Sequence, residues 1–153
     1  MFIPASLLRR VVIPGGPAAS FSAADARGIL EVACLACASD GKLADEELAA
    51  LRVMSDLLGA ASPAEIGPLI DAALNIPTRE ERVERLRVVA GALSSAAARE
   101  CAYKVSVVTA LADLASADEE FEFDLDVQDA LELPPEVADR LTAAVHEALV
   151  VGE

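Results

Sequence analysis

Apolar residues recur along this chain at helical spacing, in blocks set apart by Gly, Pro, Ser or runs of acid. The densest block is Ile29, Leu30, Val32, Ala33, Cys34, Leu35, Ala36 and Cys37, interrupted only by Glu31. It predicts a helix from an N-cap at Ser20 or Ser22 to about Ser39, with Asp25 in the first turn, where the helix dipole favours an anion. A helix apolar on every side has to be surrounded by other helices. Asp40 and Gly41 break it, and a second helix begins near Ala44, with Asp45, Glu46 and Glu47 in its first turn and Leu48, Leu51, Leu57 and Leu58 as its apolar stripe up to Gly59. Ser62, Pro63 and Glu65 open a third helix reaching about Asn75, which Pro77 ends. Thr78 and Glu81 form a capping box for a fourth through about Ala92, in which Glu81 and Arg85 stand one turn apart.

A long helix from about Ser95 to Ser116 follows, with Val105, Val107, Val108, Leu111 and Leu114 in its second half. It runs into an acidic turn from Asp118 to Asp124, then a short helix to about Leu131. Pro134 and Pro135 open the last helix, which carries Glu136 in its first turn and the stripe Leu141, Val145 and Leu149. Residues 1–19, with Pro4, Pro14, Gly15, Gly16 and Pro17 around short apolar pieces, are expected to form an irregular arm with one short helical turn, packed on the domain.

Placing Asp40 on Asp118 aligns the two apolar helices without a gap, with Leu30 on Val108, Ala33 on Leu111 and Ala36 on Leu114. The turns agree as well, with Leu43 on Phe121 and Glu46 on Asp124. This pattern predicts an all-α fold, a compact bundle of about seven helices with an internal pseudo-two-fold repeat. Its halves are about 20–76 and 95–150, joined by helix 79–92, within one domain spanning 20–153.

Composition supports this and narrows the partners. Of 153 residues, 54% are hydrophobic but only 3% aromatic, so the core is built from Ala, Leu and Val, which suits closely packed helices and no strands. Twelve Lys and Arg against 26 Asp and Glu leave a net charge of -14. That field repels nucleic acid and anionic membrane surfaces and attracts cations or a basic protein patch. The apolar stretches are too short or too interrupted to insert in a membrane. An odd set of three cysteines and no signal-like start place the expected location in the cytoplasm.

Cys34 and Cys37 share a helical face but lie mid-helix among apolar residues, without a second pair, so a buried core role is expected over zinc or redox chemistry. Cys101 is the third thiol that could meet them in space. His146 reads as a surface residue. Arg79, Arg82, Arg85 and Arg87 alternate with Glu80, Glu81 and Glu84, the pattern of a solvated helix with intrahelical ion pairs. No phosphate loop, nucleophile elbow or Ser, His and Asp arrangement is present, so a non-enzyme is expected.

The acidic turns are the sharpest feature. Between Lys104 and Arg140 there is no Lys or Arg, and hard cations neutralise such oxygen clusters. An EF-hand is excluded, because Phe123 stands where its loop requires Gly. Two alternatives stay open, cation binding or helix-start caps on a solvated face.

The run Ala36 to Leu48, containing Asp40, Gly41, Leu43, Glu46 and Glu47 and followed by Leu57, Leu58 and Gly59, resembles the first signature of TerB-like proteins, the tellurite-resistance family. Leu114 to Asp118 resembles its second. The resemblance covers roughly residues 22 to 150. It implies a helical fold with two-fold symmetry, an acidic site for a divalent cation (calcium, magnesium or manganese) and a non-catalytic role in tellurite resistance or related stress. By position it makes Asp40, Glu46, Glu47, Asp118 and Asp124 the candidate metal ligands. In the second half Glu119 replaces the family's glycine. A protein partner or self-association is also expected, and the alternative function is an interaction or scaffolding module without metal.

Overall fold

Ser22 takes extended backbone angles and its Oγ accepts the Asp25 N–H at 3.1 Å, which starts helix α1, Ala23–Cys37. The computed structural model describes residues 8–10, 21–38, 45–58, 63–112 and 125–151, with side chains described throughout these ranges except at 46, 63–65, 110–112 and 149–151. Five further helices follow: α2 (Asp45–Leu58), α3 (Pro63–Leu74), α4 (Arg79–Ala92), α5 (Ala96–Ala112) and α6 (Pro135–Val151). Residues 125–130 are also helical, and there is no strand among the described residues. The expected all-α bundle is therefore present.

α1 lies at its centre. It packs against α2, α3, α4 and α5, most extensively against α5, while α6 covers another side of α5. That arrangement follows from a helix with Ile29, Leu30, Val32, Ala33, Cys34, Leu35 and Cys37 all buried, which leaves water only its first turns and the margin at Arg27 and Glu31. Small side chains dominate the two central helices, with Ala26 and Ala33 on α1 and Ala98 and Ala102 on α5 at most 1% exposed. Gly28 gives room to the α4–α5 junction, since a Cβ there would stand 2.9 Å from Leu93 Cδ2. The N-terminal arm contributes at its described turn, residues 8–10, where Leu8 is fully buried.

α5 is buried over more of its length than its sequence suggests. Ala98, Cys101, Ala102 and Tyr103 are as enclosed as Val105, Val107 and Val108. The buried hydroxyls of its Ser106 and Thr109 are satisfied locally. Ser106 Oγ donates to the Tyr103 carbonyl at 2.6 Å and Thr109 Oγ1 to the Ser106 carbonyl at 2.9 Å, so neither needs a distant partner. On α2 the buried stripe is Glu47, Ala50, Leu51, Met54 and Ser55. Of the expected stripe only Leu51 is fully enclosed; Leu48, Leu57 and Leu58 are half-buried, because the face turned to α1 is centred on Leu51 and Met54.

Two features hold the joints between helices. Asp25 is 4% exposed and reaches across 69 residues to the α4–α5 junction, accepting the Ser94 N–H at 2.9 Å and the Ser94 hydroxyl at 2.6 Å. These bonds favour its anion and hold its pKa below the ordinary 3.8, against the opposing effect of burial. The helical turn 125–130 ends with the Leu133 N–H on the Gln128 carbonyl and the Glu132 N–H on that of Asp129, a Schellman closure. It places Glu132 at φ 55, where glycine is the usual occupant.

Asp25→Ala is expected to lower the unfolding free energy by about 2 kcal/mol in urea titrations at pH 7, since it strands both Ser94 donors. Because folding lowers the Asp25 pKa, the unfolded chain binds more protons just below pH 4. The contribution of Asp25 is complete above 3.8 and is lost as pH falls through the folded value. Asp25→Asn should therefore show a shallower acid limb than wild type; an unchanged limb would refute the assignment. Glu132→Gly is expected to raise stability by about 1 kcal/mol in thermal melts, because it removes left-handed strain and gives up only a 3.9 Å pair with Arg99 in which Glu132 is 82% exposed.

Candidate functional site

Of the five acids singled out by the sequence, Asp40, Asp118 and Asp124 lie outside the described residues, as does the side chain of Glu46. Glu47 is described, and it is only 3% exposed, on the inward stripe of α2 one turn before Leu51. A carboxylate so enclosed in a first helical turn gains from the N-terminal dipole and requires polar or cationic company. Among the described residues no three His, Cys, Asp or Glu side chains converge as metal ligands.

Between α1, α3 and α4 the surface opens into a groove of about 260 Å³. Leu35, Leu69, Ala72, Ala73 and Ile76 form its apolar walls, and Glu31, Glu81 and Arg85 its polar side. Glu31, the one charge in the apolar block of α1, is held by Arg85 through both guanidinium Nε and Nη2, the latter at 2.8 Å. The fork geometry matches carboxylate to guanidinium and keeps Arg85 even more firmly protonated than an ordinary arginine.

This corrects the expected pattern of α4. Arg85 pairs with α1 rather than with Glu81, and Arg79 pairs with Asp126 of the 125–130 turn at 2.8 and 3.1 Å. Arg87 and Glu84, 3.7 Å apart, do form an intrahelical pair. Arg82 has a buried Nε without a hydrogen-bond partner. α4 is thus tied to its neighbours by its arginines, and the signal was in the sequence: a lone Glu in a helix buried on all sides needs a cation from another element.

Cys34, Cys37 and Cys101 are buried and form no disulfide. Burial, reinforced by the Glu31 charge, pushes the Cys34 thiol up to about 12. Burial does the same to Cys101, up to about 12 against a small opposing effect of Lys104. Neither offers a thiolate at neutral pH, which a nucleophile or a soft-metal ligand requires. His146 is exposed on α6, and no helix among the described residues is long and apolar enough to cross a membrane. No family model matches the chain, and no curated protein or solved structure matches it either.

At pH 8 iodoacetamide is expected to leave all three thiols unmodified in the native protein and to alkylate all three in denaturant, as read by intact mass. Rapid native labelling of Cys34 or Cys101 would contradict the burial described here.

Proposed function

We propose that this chain is a TerB-like, non-catalytic stress-response protein that binds a divalent cation through the acidic turns at Asp40 and Asp118. The observation that carries this reading is Glu47, a carboxylate enclosed at the start of α2, seven residues after Asp40. An acid at that point brings a carboxylate close in sequence to three more, Asp40, Asp45 and Glu46. The helical bundle with two apolar helices packed at its centre is the architecture the resemblance implies, and the proposed duplication assigns one acidic turn to each of them. A non-catalytic role accords with thiols held protonated by burial. The reading includes a cytoplasmic location, and calcium, magnesium and manganese are the candidate ions.

An interaction module without metal is the second reading. The groove beside Arg85 favours it, because it combines an apolar floor with a charged margin.

Calorimetric titration of the full chain with calcium, magnesium and manganese is expected to give a dissociation constant of about 0.1 to 1 mM for at least one ion. Asp40→Asn combined with Asp118→Asn should abolish that heat, and Glu47→Gln should weaken it. No binding to the wild type at millimolar ion removes the cation from the proposal.

A further inference from the structure

The groove between α1, α3 and α4 is lined by none of the acids assigned to the cation and plays no part in that reading. Its floor is dry, with Leu35 at 1% and Ala73 at 4% exposure, while Leu69 and Ile76 are half-buried and Ala72 is exposed at its edge. At about 260 Å³ it falls below the roughly 300 Å³ at which pockets enclose a whole small-molecule ligand. A space of that size suits a single large side chain delivered by another protein, the arrangement of an apolar anchor in a pocket with a polar rim.

Charge decides what kind of protein. Among the described lining residues Arg85 is the one cation, and Glu31 occupies it through two hydrogen bonds, so it has little to offer an anionic ligand. Glu81 is exposed and its carboxylate makes no ion pair among the described residues. The groove therefore presents an available negative charge beside apolar walls, on a chain whose net charge of -14 repels acidic partners and speeds encounter with basic ones.

We infer that this groove is a docking site for a basic segment of a partner protein, which seats one large apolar side chain among Leu35, Leu69 and Ile76 and sets a Lys or Arg against Glu81. The anchor contributes the buried apolar area, and the basic residue contributes orientation and association rate.

Fluorescence anisotropy with the full chain at physiological ionic strength tests this, using two labelled helical peptides of equal length, one of Leu and Lys and one of Leu and Glu. The Leu and Lys peptide is expected to bind and the Leu and Glu peptide not to. Ala72→Trp fills the groove from an exposed position without changing charge, and it should weaken binding at least tenfold with unchanged circular dichroism. Glu81→Lys should weaken it several times more than Glu147→Lys, the same charge reversal on α6, which has no part in the groove. Wild-type affinity in Ala72→Trp, or equal effects of the two reversals, would mean that net charge alone holds the peptide and would overturn the inference. So would a wild-type dimer in light scattering that becomes a monomer in Ala72→Trp, because a second copy would then be the occupant.

Discussion

Everything in this fold depends on covering α1. A helix whose second half is apolar on nearly every side has no stable place at a surface, and the chain solves this by laying α2, α3, α4 and α5 around it. Apolar burial contributes about 25 cal/mol per Å², so the enclosure of Ile29, Leu30 and Leu35 is a dominant stabilising term. The polar contacts described above are arranged at the margins of that enclosure. Asp25 ties its N-terminal end to the α4–α5 junction, and Glu31 ties its flank to α4.

The elements were legible in the sequence because their signals are local. Ser22 and Thr78 cap where their spacing to Asp25 and Glu81 says they should, and Pro135 opens the last helix. The centrality of α1 was legible for a different reason: a helix apolar all round admits one kind of environment. The need of Glu31 for a cation was legible, but the identity of the partner in each long-range polar pair was not. Glu31 and Arg85 are 54 residues apart and Asp25 and Ser94 are 69 apart, and local spacing alone made Glu81 the natural partner of Arg85. Tertiary geometry overrode it, because a half-buried carboxylate gains more from a cation than an exposed one does. The stripe of α2 was legible in part, since Leu51 is in the core and Leu48, Leu57 and Leu58 pack against it half-buried. Counting leucines hides Glu47 and Ser55, polar residues that face inward.

The candidate site was legible only in part. The acids at Asp40 and Asp118 stand out by density, and Glu47 among them is the one whose enclosure is seen. The groove beside Arg85 had no signature in the chain, since its walls come from three helices and its residues are ordinary core and surface types. Sites of that kind emerge from packing alone.

The small buried side chains of α1 and α5 make the centre of the bundle asymmetric in what it tolerates. Ala26, Ala33, Ala98 and Ala102 fill their places with a single methyl each, so there is little left to remove at these positions and no room to add. Enlarging any of them forces side chains off their rotamers or the two helices apart, at about 1 to 3 kcal/mol for each site. Drift in this core is therefore confined to one direction: its leucines and valines have room to shrink by degrees, whereas its alanines, each a single buried methyl, have almost nothing left to lose.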